Sequence, residues 1–296
     1  MPVSSSKCTL TPDIPSREYF ERNTIMTSPT PSPKGTALVT GASAGIGAVY
    51  ADRLARRGYD LILVARNAGR LQALAARLSA ETGRSVQTIA ADLNDKAGLS
   101  KIEAVLRKDP SITMLVNNAG VGSVASVLNA DIDEMEAMIF LNITALTRLT
   151  YAVAPVFASK ASGTIINISS AVGIAVELLN GVYSASKSYV LSFGHTLQRD
   201  LADKGVRIQT VLPAATATDF WDVAGYPKQK ESASTMTAGD LVDAALAGLD
   251  QGELVTIPTL HDGESWTRWE TDRRALAPQF ANAKPAPRYA LPAGKA

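Results

Sequence analysis

From Thr36 onward the chain alternates short apolar runs with longer amphipathic stretches. This alternation restricts the fold to repeated strand–helix units around a parallel sheet. Apolar runs at 36–40, 59–65, 85–91, 112–117, 163–169, 206–212 and 254–258 predict seven strands. Helical periodicity between them predicts helices over 45–57, 67–82, 95–108, 133–159, 182–204 and 239–250. Gly58, Gly83 and Gly205 stand where helices should stop, and Asp131 and Glu134 are spaced as a capping box opening the fourth long helix. The run Leu61-Ile62-Leu63-Val64 has no polar face, which suits a strand covered on both sides. The expectation is a single α/β domain: a doubly wound, seven-stranded parallel sheet with helices on both faces.

A chain of 296 residues, 46% hydrophobic and 19% charged, holds enough apolar material for one sizeable core. Its first 33 residues carry six of the 15 prolines, with many Ser and Thr and no periodicity. Residues 1–33 therefore read as a flexible leader, 34–260 as the folded domain, and 261–296, where the pattern fades, as a C-terminal extension. Met26, followed by Thr-Ser-Pro-Thr-Pro-Ser-Pro, is an alternative start. With 29 basic against 28 acidic residues, the net charge of +1 leaves no footprint for nucleic acid or an anionic membrane. The one cysteine, Cys8, excludes an intramolecular disulfide, and two histidines, His195 and His261, are too few and too scattered for a zinc centre. No metal is expected. No signal-peptide core follows Lys7 and no apolar stretch of about 18 residues is evident, so the expectation is a soluble, cytoplasmic protein.

Directly after the first predicted strand comes Thr40-Gly41-Ala42-Ser43-Ala44-Gly45-Ile46-Gly47, a glycine-rich turn opening a helix. Glycines allow a tight bend and close backbone approach, while the free N–H groups and dipole of a helix start attract a pyrophosphate. The same residues spell Gly41-x-Ser43-x-Gly45, the elbow pattern of serine hydrolases. An elbow normally follows several central strands and needs a loop histidine beside it, whereas Ser43 follows the first strand and His195 lies mid-helix. At the end of the second strand, where a carboxylate often binds a ribose 2′-hydroxyl, the chain has Ala65-Arg66. A guanidinium there binds a 2′-phosphate, favouring NADP over NAD. Arg66 as an exposed helix-entry residue is the alternative, and Ala44 adds no second basic group.

Tyr183 and Lys187 lie four residues apart in a predicted helix, so they share a face. A free phenol titrates near ~10, and a fixed positive charge beside it favours phenolate, moving its pKa toward neutrality. Such a tyrosine exchanges a proton with an alcohol or ketone. Tyr-x-x-x-Lys alone is a common helical spacing, so its meaning depends on its neighbours.

Taken in order, Thr40-Gly41-x-x-x-Gly45-x-Gly47, Asn117-Asn118-Ala119-Gly120, Ser170 and Tyr183-x-x-x-Lys187 resemble the short-chain dehydrogenase/reductase family over roughly residues 35–258. The resemblance implies a Rossmann-type catalytic domain and the following roles. Ser170 looks like the serine that bonds the substrate oxygen, with Ser169 its competitor. Tyr183 would be the general acid or base and Lys187 would lower its pKa and hold the nicotinamide ribose. Asn142, in Leu141-Asn142-Ile143, matches the asparagine completing a proton relay; a helix–helix hydrogen bond is the alternative. Gly41, Ser43, Gly45, Ile46 and Gly47 would cradle the dinucleotide phosphates, with Arg66 on the 2′-phosphate. Asp92 and Leu93 would contact adenine, with a helix cap as the other reading of Asp92. Asn118, Ala119 and Gly120 would line the cleft. Pro213 opens a turn in which Ala214 replaces the family's usual glycine, and Thr218 is a better candidate than Thr216 for the carboxamide contact.

Substrate identity is less legible. Val172, Ile174, Val176, Leu178 and Leu179, with Phe220, Trp221 and Tyr226, suggest an apolar pocket for a small carbonyl or alcohol. Asp262, Glu264, Trp266 and Trp269 follow the last strand and would close the site or contact another subunit. Related enzymes pair the helices at 133–159 and 182–204 in dimers, implying a homodimer or homotetramer and making His195 an interface or core residue. The leading expectation is an NADP-dependent carbonyl reductase or alcohol dehydrogenase. The alternatives are a 3-oxoacyl-thioester reductase and a non-catalytic NADP-binding regulatory protein.

Overall fold

A computed structural model describes residues 32–289. The expected leader, with Cys8 and Met26, lies almost wholly outside the described residues. Seven parallel strands form one sheet: β1 (Thr36–Thr40), β2 (Asp60–Ala65), β3 (Val86–Ala90), β4 (Ile112–Asn117), β5 (Gly163–Ile168), β6 (Val206–Val211) and β9 (Val255–Thr256). Their order is β3-β2-β1-β4-β5-β6-β9, so the chain runs outward from β1 on one side, crosses back, and builds the other half from β4. Both halves are wound by helices α1 (Gly45–Arg56), α2 (Ala68–Thr82), α3 (Lys96–Lys108), α4 (Ile132–Ile139), α5 (Leu146–Ser159), α6 (Gly181–Leu201) and α8 (Ala238–Gln251). The short α7 (Phe220–Val223) and a small two-stranded sheet, β7 (Thr216–Ala217) with β8 (Met236–Thr237), belong to the segment after β6.

Two apolar layers cover the sheet, as expected from central strands such as Leu61-Ile62-Leu63-Val64. On one side Val39, Leu61 and Leu63 pack with Tyr50, Leu54, Leu241 and Leu246; on the other Leu38, Ile62 and Ile165 pack with Ile102, Leu149, Val153 and Phe157. Asp131 caps α4 as its spacing predicts, accepting the N–H groups of Asp133 at 2.8 Å and Glu134 at 3.3 Å. Helices end at Gly83 and, after a short 3-10 turn, at Gly205, both with left-handed backbone.

Three expectations need correction. The predicted helix over 133–159 is α4 and α5 joined by a wide π-helical turn, Phe140–Ala145, and that turn carries Asn142. By length and composition the stretch Ile132–Ser159 is apolar enough to cross a membrane, contrary to the expectation that none is, with a mean hydropathy of 1.4. Its apolar side chains are used inside the domain: Leu149, Val153 and Phe157 in the core, Met135 and Met138 in a cluster around Tyr183. Finally, the C-terminal extension contains a helix, α9 (Gly263–Ala275), capped by Asp262. Its buried residue is Glu270, held by Arg273 and Arg274, with His195 Nε2 of α6 at 3.3 Å but poorly aligned for a hydrogen bond.

Candidate active site

Between β1 and β4 the strand order reverses, and at their carboxyl ends an open parallel sheet forms a ligand crevice. Gly41 leaves β1 with φ +66°, and Gly47 lies against it: a Cβ on Gly47 would sit 2.4 Å from the Gly41 carbonyl oxygen and 2.5 Å from Asn118 Nδ2. Asn118 holds this turn by donating from Nδ2 to the Thr40 carbonyl at 2.9 Å. The N–H groups of Asn118 and Ala119 donate to Thr40 Oγ1, each at 3.0 Å. Asn117 points into the sheet, donating to Thr150 Oγ1 and Asn167 Oδ1 at 3.0 Å. Ala44 caps α1 with no side-chain acceptor, so the first N–H groups of that helix are available to an anion.

Two adjoining cavities open from the turn and share Gly41, Arg66, Ala119, Gly120 and Val121. The first brings together Ser43, Arg66, Asp92 and Leu93, all anticipated, with Asn67 and Arg70, which were not. Arg66 is exposed at the end of β2 and makes no ion pair among the described residues. Arg70, in the first turn of α2, pairs with Asp219 at 3.3 Å. Asp92 accepts the Asn94 N–H at 2.9 Å, while the cap of α3 is Asp95, bonded to the Gly98 N–H at 2.9 Å.

The second cavity, about 450 Å³, is lined by Ile46, Ser170, Val172, Leu178, Leu179, Tyr183, Lys187, Pro213, Thr216, Thr218, Phe220, Trp221 and Val223. Thr216 Oγ1 donates to the Ala214 carbonyl at 3.0 Å, and the methyl of Thr218 faces Gly45. Ser169 is committed elsewhere, its hydroxyl donating to the Lys187 carbonyl at 2.7 Å. Ser170, at the end of β5, donates to the Pro213 carbonyl at 3.2 Å and also reaches the Tyr183 phenol. Lys187 donates from Nζ to the Ile168 carbonyl at 3.0 Å and lies 5.6 Å from the centre of the Tyr183 ring. Asn142 is buried, and its amide clamps the loop after β4: Nδ2 donates to the Val121 carbonyl at 2.9 Å and to Ser186 Oγ at 3.1 Å, while Oδ1 accepts the Val121 N–H at 3.0 Å. Gly120 separates Asn142 from Lys187: a Cβ there would lie 3.0 Å from Asn142 Oδ1 and 3.5 Å from Lys187 Nζ.

Burial dominates the electrostatics of this pair, which differs from the expectation that Lys187 draws the phenol toward neutrality. Loss of solvent pushes the Tyr183 phenol up to about 12, against a smaller downward pull from its hydrogen bond with Ser170. The same loss pushes the Lys187 ammonium down to about 8. At pH 7 both hold their protons. Between pH 8 and the ordinary lysine value of 10.5 the unfolded chain binds more protons at Lys187 than the folded one, so this group adds stability as pH rises through that window. Lys187→Met should flatten that rise, read as chemical-denaturation midpoints from pH 7 to 10.

The family model of the short chain dehydrogenases matches residues 35–227. A short-chain dehydrogenase from Sphingobium yanoikuyae, solved in complex with NADPH, superposes with a TM-score of 0.84 at 45% identity, over 86% of this chain and 100% of that one. The bulky-bulky ketone specific alcohol dehydrogenase from Comamonas testosteroni superposes with a TM-score of 0.80 at 43% identity, over 86% of this chain and 98% of that one. Very-long-chain 3-oxoacyl-CoA reductase-A of Danio rerio is 34% identical over 73% of this chain and 69% of its own length. With the glycine turn, the reversed strand order and the clustered Ser170, Tyr183 and Lys187, these matches identify the chain as a member of the short-chain dehydrogenase family and an oxidoreductase of alcohol and carbonyl groups.

Proposed function

We propose that the protein is an NADP(H)-dependent carbonyl reductase or secondary-alcohol dehydrogenase whose substrate carries apolar groups. The observation that carries this reading is the meeting of Ser170, Tyr183 and Lys187 in an apolar cavity continuous with the glycine turn. The glycine turn and Arg66 would hold the dinucleotide, and Lys187 its nicotinamide ribose. When bound, the nicotinamide supplies or accepts the hydride. Ser170 holds the carbonyl oxygen, and Tyr183, still protonated at neutral pH, donates to it during reduction. Asn142 positions the loop on which Gly120 and Val121 line the site. Reduction should therefore hold steady below about pH 8 and fall above it as Lys187 loses its charge, measured as kcat against pH.

Arg66 supports a preference for NADPH. A charge-assisted contact to the 2′-phosphate is worth about 1.5–3 kcal/mol, so Arg66→Ala should weaken NADPH by roughly 10- to 100-fold. NADH should change little, and an unaltered ratio of the two dissociation constants would remove the preference. NADPH oxidation across aromatic ketones, steroids, sugars and acyl thioesters tests the substrate class. Similarity to a 3-oxoacyl-CoA reductase keeps the thioester reading as the second one, favoured if acyl thioesters outrun simple ketones. Bound NADPH without turnover of any carbonyl would favour a regulatory role.

We also infer a cytoplasmic homodimer or homotetramer without nucleic-acid or membrane partners. The exposed Tyr151 of α5, 6.3 Å from Phe193 of α6, supports a pairing face on those helices. Light scattering of the purified chain tests it.

A further inference from the structure

The wall of the cavity beside Tyr183 is built by one contact that depends on a missing side chain. A Cβ on Gly122, in the loop after β4, would lie 2.3 Å from Cζ and 2.7 Å from Cε2 of Phe220, and 3.3 Å from Cδ2 of Tyr183. The tip of the Phe220 ring thus occupies the space that any other residue at 122 would fill. Phe220 comes from α7, whose residues line the cavity, and its ring centre is 5.5 Å from that of Tyr183 at a 44° tilt. Beside it, Trp221 meets the ring edge-on at 5.3 Å and is buried, its Nε1 donating to the Thr216 carbonyl at 2.9 Å. Met135 and Met138 complete the cluster and are also buried. The two segments are tied together by the Val124 N–H, which donates to the Ala224 carbonyl at 3.0 Å.

We propose that Gly122 and Phe220 form a notch and gate that set how large a group the substrate carbonyl can carry beside Tyr183. The notch at Gly122 seats the tip of the ring in the cavity wall. This rests on the reading of the cavity as a carbonyl site. Gly122 does not have left-handed backbone, so alanine is conformationally acceptable there. The atom it would strike is the far end of a side chain, so the ring swings and the backbone stays. Trp221 and the two methionines already pack in the cluster around the ring, and the open space that Phe220 lines is the cavity, so we take the cavity as the direction of movement. A methylene-sized change in such a pocket shifts discrimination by about 10- to 200-fold.

The test compares Gly122→Ala, Phe220→Ala and the double variant, using NADPH with acetophenone and with hexanophenone. Gly122→Ala should lower kcat/KM for hexanophenone by about 10-fold or more relative to acetophenone. Phe220→Ala should remove that discrimination, and adding Gly122→Ala to it should change nothing further. Equal losses on both ketones, or the same loss in the Phe220→Ala background, would overturn the gate. If the parent chain reduces neither ketone, the notch is judged by tryptophan fluorescence, and the carbonyl reading fails only if no carbonyl of the wider panel is turned over. A spectral change on Gly122→Ala that vanishes in the Phe220→Ala background upholds the notch, and its absence refutes it.

Discussion

Tyr183→Phe should bind NADPH as the parent chain does and lose roughly 10²- to 10⁴-fold in turnover, the usual contribution of a positioned proton donor. The substitution removes only the hydroxyl. The ring keeps its packing against Phe220, Val172 and Met138, so the fold has no reason to change. What is lost is the proton that burial keeps on the phenol at neutral pH, together with the hydroxyl beside Ser170. NADPH titration by fluorescence and kcat with a saturating ketone separate the two effects. Normal turnover would remove Tyr183 from the chemistry and leave Ser170 and Lys187 as a binding site only.

Gly47→Ala should damage both stability and cofactor affinity. Its new methyl would press on the Gly41 carbonyl and the Asn118 amide, both parts of a hydrogen-bonded turn and neither the end of a long flexible chain. Overpacking of this kind costs about 1–3 kcal/mol, which lowers Tm by roughly 2–10 °C in a domain of this size. Because the displaced backbone is the one expected to face the pyrophosphate, NADPH affinity should fall by about 10-fold or more as well. Calorimetry of the free protein and NADPH titration measure the two losses. An unchanged Tm would show that the turn has slack that its distances do not reveal.

Much of the fold was legible because the strands are short, largely apolar runs, and central ones such as Leu61-Ile62-Leu63-Val64 have no polar face, as a parallel sheet covered on both sides requires. Residues 36–40 and 112–117 bound their strands as expected, and Asp131 and Gly83 sit where helices begin and end. The helix Gly263–Ala275 escaped notice because its buried position is Glu270, so it lacks the apolar stripe by which a packed helix is read. Arg70 escaped for a different reason: its partner Asp219 lies 149 residues away, and no local pattern links them. Tyr183 and Lys187 illustrate the limit of spacing. Four residues on a helix establish that two groups share a face, yet only packing shows that this face is dry, and dryness moves the phenol up to about 12 and the ammonium down to about 8.

The wide turn at Phe140–Ala145 makes the rod from Ile132 to Ser159 behave as a joint. A π turn holds one residue more than an α turn, so the face presented before it is offset from the face after it by about 100°. Met135 and Met138 can therefore look toward Tyr183 while Leu149 and Val153 look into the sheet. Deleting one residue from this turn would re-phase the two halves. The methionines would turn away from Tyr183 and the Asn142 amide from the Val121 loop, while the half anchored by Phe157 kept its seat, so the reaction centre would be lost before the domain.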